Sequence, residues 1–254
     1  MRSPLQIKAS KSTKILKQLM PEGSTISAFF FYDGTVEVPL ANSGRIVVAH
    51  TNKYPVYEFW QSIIKEPREI SAAVDFFYEK VHEPQLYLMQ DNWFQCKRLH
   101  ERSAFFYILN RCSEAGYASC GKIDKDRLKK INIINLKRFN LKNLYPFFDQ
   151  TEDPLDGLKT SKKTDFILIP MGQYNYNLFD NGKNIGHDMI IIDHKKTKDA
   201  LEKIDKKWVV VYNKHPAVFK LYENKNIIMI DRYGNKTIDR DKCKEIIINN
   251  FVSN

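Results

Sequence analysis

Two acid–imidazole pairs stand close together late in the chain, His187-Asp188 and Asp193-His194. An imidazole beside a carboxylate is the raw material of general acid–base catalysis and of metal ligation. Their spacing fits no zinc ligand set, and Asp193 directly before His194 fits the cap and first turn of a helix, so structural roles and no metal are expected. His50 closes an apolar run without an apparent Cys or Ser partner for nucleophilic chemistry. The four cysteines, Cys96, Cys112, Cys120 and Cys243, form no C-x-x-C pair, which excludes a zinc knuckle or a dithiol redox motif. Tyr174 and Tyr176 could stack on a nucleobase, although two ordinary surface tyrosines fit the same polar loop. Asn110-Arg111 ends an aromatic-rich stretch and is a candidate for phosphate contact, a solvated helix end being the alternative. The strongest nucleic-acid-facing candidate is the cation run Lys122, Lys125, Arg127, Lys129, Lys130, Lys137, Arg138 and Lys142.

These groups must be positioned by the elements around them. Asp165 to Gly172 reads as a buried strand, four apolar residues after a polar loop, closed by Pro and Gly. In an open α/β sheet, ligands sit beyond the carboxyl ends of the strands. The tip from Ile169 to Gln173 is therefore where catalytic groups belong, yet Ile169, Pro170, Met171 and Gly172 offer no acid, base or nucleophile. Further strands are expected at 25–32, 45–49, 207–212, 226–231 and 244–251. Helices are expected at 56–64, 69–81, 99–115, 196–205 and 216–223, with a short helical pattern at Ile15-Leu16-Leu19-Met20. Strands alternating with helices imply a parallel or mixed α/β sheet. Residues 116–163 change character: basic, polar, with short apolar pulses and no long helical period. They read as an insert on a core formed by 1–115 and 164–254, with 151–164 and 173–186 as loops.

Composition agrees with a globular chain. It is 43% hydrophobic over 254 residues, enough for one large domain or a core with an insert. Lys and Arg number 40 against 30 Asp and Glu, a formal charge of +10, which suits a polyanionic partner as well as simple solubility. Scattered thiols, the lack of an apolar run of membrane-span length and the lack of a signal-peptide pattern make a cytoplasmic location the expectation.

Several segments resemble, in order, the Dam-like class of DNA adenine methyltransferases. Arg45-Ile-Val-Val-Ala-His-Thr-Asn52 is similar to that family's second strand, R-V-V-L-N-D-I-N, and Tyr57 to Pro67 to the helix after it. Arg102-Ser-Ala-Phe-Phe-Tyr-Ile-Leu-Asn-Arg111 resembles its A-x-x-F-x-x-L-N-R helix. Ile192-Asp-His194 through Leu201 and Trp208 to Asn213 resemble its D-H-x-x-L helix and the strand ending in S-Y-N. Leu221 to Ile228 and Glu245 to Asn250 are similar to its closing segments. The resemblance implies a Rossmann-like S-adenosylmethionine-dependent methyltransferase fold, a mixed sheet with an inserted basic region in the place of the family's DNA target-recognition region. It implies DNA as partner, with Asn110, Arg111, Lys122, Lys129, Lys130, Lys137 and Arg138 as candidate contacts.

The departures fall on the motifs that carry the family's chemistry. Where the family has K-W-A-G-G-K this chain has Ile7-Lys8-Ala9-Ser10-Lys11. Where it has the P-F-x-G-x-G turn, this chain has Phe30-Phe31-Tyr32-Asp33-Gly34, with one glycine. The place of the Asp that grips the ribose hydroxyls holds His50, and a neutral imidazole lacks the paired acceptors of a carboxylate. The place of the catalytic D-P-P-Y holds Ile169-Pro170-Met171-Gly172. The expectation is thus a catalytically degenerate relative, binding DNA or a protein partner, with no cofactor and with aromatic side chains partly filling the cleft. Two other functions remain open: an active, diverged adenine methyltransferase that uses S-adenosylmethionine, and a structural or assembly component that uses the fold as a scaffold.

Overall fold

A computed structural model describes residues 2–5, 8–172, 187–189 and 192–251. The loop expected at 173–186, with Gln173, Tyr174 and Tyr176, lies outside the described residues, as does Ile7. The chain divides into two compact units: Lys8–Asn52 with Lys142–Gly182 and Ile191–Asn254, and Met1–Ile7 with Lys53–Leu141 and Lys183–Ile190. The first holds the sheet and the second is helical. Residues 116–141 of the basic stretch therefore lie in the helical unit, and 142–163 in the sheet unit.

In the sheet unit, helix α1 (Thr13–Leu19) leads into β1 (Thr25–Ala28), α2 (Glu37–Ala41) and β2 (Ile46–Thr51). Strand β3 (Leu144–Phe148), a 3-10 stretch (Pro154–Lys163) and β4 (Phe166–Gly172) follow. Then come α8 (His194–Glu202), β5 (Lys207–Asn213), α9 (Pro216–Leu221), β6 (Asn226–Asp231), β7 (Lys236–Thr237) and β8 (Cys243–Asn249). The eight strands are ordered β3-β2-β1-β4-β5-β8-β6-β7. Strands β1 to β5 are parallel to their neighbours, whereas β8 runs antiparallel between β5 and β6. This is the Rossmann-like mixed α/β sheet that the sequence implies. Its order reverses between β1 and β4, which makes the carboxyl ends of those strands the switch-point crevice.

The central strands read clearly in sequence because both of their faces are covered. Phe166 to Ile169 of β4 and Trp208 to Tyr212 of β5 are buried runs. Arg45 ties the entry to β2 onto α1: its Nε donates to the Met20 carbonyl at 2.9 Å and its Nη2 to that of Lys17 at 2.7 Å, two carbonyls that the helix end leaves unpaired. Asp193 caps α8 by accepting from Lys196 N, as its place before His194 suggests.

The helical unit contains α3 (Tyr54–Lys65), α4 (Pro67–Lys80), α5 (Glu83–Asn92), α6 (Leu99–Cys112) and α7 (Lys130–Lys137). Val56, Phe59, Trp60 and Ile63 bury one face of α3, and the Phe59 ring meets those of Trp60, Phe106 and Tyr107. Arg102 on α6 forks onto Glu58 on α3, with Nε donating at 2.6 Å and Nη2 at 2.5 Å, a bidentate pair that locks the two helices.

The structure corrects the sequence expectations in three places. The strand expected over 25–32 ends at Ala28, because Phe30 adopts φ 57° and the chain turns there. Residues 116–163, expected to have no long helical period, contain the short helix α7 and the strand β3, to which no element was assigned, and the expected loop at 151–164 is largely a 3-10 stretch. Helix α5 was not visible, since among its residues only Leu86 is buried.

Candidate functional site

The crevice is built from the turn after β1 and the ends of β2 and β3. Phe29 and Phe31 are fully buried and Phe30 nearly so. The turn stays laced to the sheet: Phe29 N donates to the Leu168 carbonyl and Phe31 N to that of His50, both at 2.9 Å. Phe30 pays for this with a left-handed backbone conformation, an outlier for a bulky residue. His50, at the end of β2, is buried. Its ring stacks on Phe29 with centroids 4.5 Å apart and planes 17° from parallel. Its Nδ1 lies 3.3 Å from both carboxylate oxygens of Asp149, the residue that follows β3. Gly157, on the 3-10 stretch, closes over the same place: a Cβ there would stand 2.9 Å from the Phe29 ring and 3.1 Å from Asp149 Oδ2.

A pair of acids, Asp33 and Glu37, follows the turn. Asp33 accepts from Thr35 N at 2.8 Å and Thr35 Oγ1 at 2.7 Å, while Glu37 takes Val36 N at 3.2 Å. Burial pushes the Glu37 carboxyl up to about 8, with the neighbouring Asp33 charge adding to the shift. Burial also raises the Asp33 carboxyl above its usual range, against the hydrogen bonds from Thr35. Tyr32 is half-buried, and Gly34, at φ 67°, makes the turn into α2.

The segment in the place of the family's K-W-A-G-G-K is tied elsewhere. Glu245 on β8 accepts from Ser10 Oγ, Lys11 N, Ser12 N and Ser12 Oγ at 2.7–2.8 Å. Ala9 is exposed just before this clasp. At the tip, β4 continues through the whole of Ile169-Pro170-Met171-Gly172. Ile169 pairs with Val210, and a register shift separates Pro170 from Gly172, which has φ 60°. Ile169 and Met171 are buried. No acid, base or nucleophile stands among these four residues. The residues in the crevice thus do not match the groups that the resemblance assigns to S-adenosylmethionine.

In the helical unit, α4 and α7 bring Arg68, Glu69, Ala72, Ile134, Lys137 and Arg138 around one open groove. All six are exposed. Arg68, Lys137 and Arg138 have no ion-pair partner among the described residues, whereas Lys130 is held by Asp75 at 2.5 Å and Glu79 at 3.5 Å. Lys122 and Lys129 are exposed as well. Asn110 is a correction: it is buried, and its amide donates to the Gly116 carbonyl at 2.5 Å, so it braces the turn after α6 and does not present itself to a phosphate. Arg111 beside it is half-buried.

His187 stacks on Phe94 with centroids 4.2 Å apart. Asp188 is buried and accepts from Ala118 N at 2.7 Å and Ser119 N at 3.2 Å. His194 Nδ1 lies 3.0 Å from the Tyr212 hydroxyl. No three His, Cys, Asp or Glu side chains among the described residues could together hold a metal ion. All four cysteines are free, and no helix among the described residues is long and apolar enough to cross a membrane.

Sequence reasoning found His50 and the aromatic turn but missed Asp149, Gly157 and Arg68. Asp149 lies 99 residues from His50, and no local pattern could join them. Arg68 lies one residue before the helix expected at 69–81, whose observed start is Pro67, and it is also far in sequence from Lys137.

No protein-family model matches the chain, and no curated protein matches it. Among solved structures, a SAM-dependent methyltransferase from Agrobacterium tumefaciens aligns at 10% identity with a TM-score of 0.39. The alignment covers 93% of this chain and 58% of that one, so the chain spans a little over half the length of that structure.

Proposed function

We propose that this chain is a methyltransferase-like protein that binds duplex DNA and has lost methyl transfer. The observation that carries the reading is the state of His50. On the resemblance to Dam-like enzymes, a carboxylate stands at this strand end to take the ribose hydroxyls of S-adenosylmethionine. Here the imidazole turns Nδ1 to Asp149 and lays its face on Phe29, so the position is spent on internal contacts. The bulky turn Phe29-Phe30-Phe31 and the close approach of Gly157 support the same reading, because they fill space that glycines would leave open. The tip adds a chemical reason. The adenine amine is a weak nucleophile, and an acceptor on its hydrogens stabilises the charge that develops in transfer. Loss of such a group costs about two to three orders of magnitude in rate.

DNA is favoured over a protein partner by the groove of α4 and α7, where three cations without ion-pair partners among the described residues outnumber one carboxylate, Glu69, around Ala72 and Ile134. Cations of this kind meet phosphates without reading sequence. Calorimetric titration with S-adenosylmethionine tests the cofactor half of the reading. The expected result is no binding up to millimolar ligand. A micromolar constant would overturn it and favour a diverged, active enzyme.

A further inference from the structure

The outer edge of the sheet carries a second surface with its own chemistry. Among the described residues, strand β3 is the outermost on its side of the sheet, beside β2. Its residues alternate, so Tyr145 and Phe147 share one face while Leu144 faces the other way and is buried. Tyr145 is 52% exposed and Phe147 49%, and Ile46 on β2 is 39% exposed. The face is that of His50, whose ring lies 5.1 Å from Phe147. Towards the sheet edge, beyond the buried His50, these half-exposed side chains form a contiguous apolar patch of the kind that marks an interaction site.

We propose that Tyr145 and Phe147 form a stacking platform for the unpaired bases of a single-stranded nucleic acid. Three features select this occupant. The rings lie two strand rises apart, about 7 Å. An extended single strand can seat one base on each ring, whereas a duplex keeps its bases inside and about 3.4 Å apart. Lys142 is exposed three residues before Tyr145, has no ion-pair partner among the described residues, and supplies a cation for the backbone of a strand crossing the face. The chain's charge of +10 favours any such polyanion. Pro146 sits between the rings and removes an N–H from the edge strand, which disfavours a protein segment adding as a further strand. His50, steadied by Asp149 and Phe29, backs the platform and fixes the Phe147 ring against the sheet. The proposal does not rest on duplex binding by α4 and α7, which lie in the other unit.

The test is fluorescence anisotropy of the full chain with labelled oligothymidylate and oligouridylate of about 12 nucleotides, a length within the range such sites occupy. Salt is kept low, near 50 mM, so that backbone contacts are not screened out. Both probes are expected to bind. The Tyr145→Ala/Phe147→Ala variant should bind at least tenfold more weakly, since each stacked base contributes independently. Tyr145→Phe/Phe147→Tyr keeps both rings and should bind as the wild type does, which separates ring loss from disturbance of the edge. Circular dichroism of the alanine variant checks that the sheet persists, which is expected because both side chains are exposed. Stronger binding of one probe would identify the strand as DNA or RNA. Equal binding by wild type and alanine variant would overturn the proposal. So would a wild-type chain that binds neither oligonucleotide. A self-associated wild type whose dimer is lost on ring removal would instead assign the face to a second copy.

Discussion

Glu37 is a carboxyl held where water hardly reaches, beside a second acid, Asp33. Its folded value of about 8 lies above the ordinary 4.5 because burial penalises the charged form. The sign of the linkage follows. Below pH 4.5 the group is protonated in both states and folding meets no penalty. As pH rises through 4.5 towards 8 the unfolded chain ionises while the folded chain does not, and stability falls. The raised Asp33 carboxyl adds in the same direction. The loss should be on the order of a few kcal/mol between pH 5 and pH 9. Thermal melting across that range should show a falling midpoint for the wild type and a flatter profile for Glu37→Gln. A Glu37→Gln profile as steep as the wild type's would place the titrating group elsewhere. Little of this was legible beforehand. His50 could be picked out because a strand end is a recognisable address, and the aromatic turn because bulk replaced glycine. Asp149 and Gly157 could not, since their contacts depend on a parallel register formed across about a hundred residues. Glu37 gave no signal at all, because the five-residue helix α2 that buries it was not among the expected elements.

At the scale of elements, legibility followed burial. Strands β4, β5 and β8 are buried along most of their length and stood out as apolar runs. Helix α7 was hidden because Ile133 and Leu136 are buried while Ile131 and Ile134 are exposed, so its apolar residues show no single face. Strand β3 was hidden by Pro146, which reads as a breaker but is tolerated on an edge strand. The same helix α7 carries the duplex-binding proposal, and salt is the measure of it. Each neutralised phosphate adds about 0.9 to the slope of log affinity against log salt. Removing three contacts with Arg68→Ala, Lys137→Ala and Arg138→Ala should therefore lower the steepness by about 2 to 3. Lys130→Ala should change it less, because Asp75 and Glu79 already neutralise that ammonium. An unchanged slope in the triple variant would move the DNA contacts off this groove.

At the scale of the whole molecule, the proposed function holds that the scaffold and its chemistry have parted. The strand order reverses between β1 and β4, and the His50 beside that point is bonded to Asp149. Rebuilding the tip alone tests how deep the loss goes. The variant Ile169→Asp/Met171→Pro/Gly172→Tyr, with Pro170 retained, would restore an acceptor and a stacking ring in the family's order. Its geometry is unfavourable at each step. Ile169 is fully buried and paired with Val210, so a carboxylate there is desolvated between strands. Gly172 has φ 60°, which strains any residue with a Cβ. Even a folded variant would meet His50 bonded to Asp149 and Phe29 to Phe31 filling the turn. Groups that stabilise one transition state act as a unit, so one restored member recovers little of the whole. The expected outcome is a melting temperature well below that of the wild type and no tritiated methyl transferred to unmethylated DNA. The wild type, assayed beside it, should be equally silent. Transfer by the wild-type chain would overturn the degenerate reading. Transfer by the tip variant alone would show that the crevice still seats S-adenosylmethionine and that only the last step had been lost.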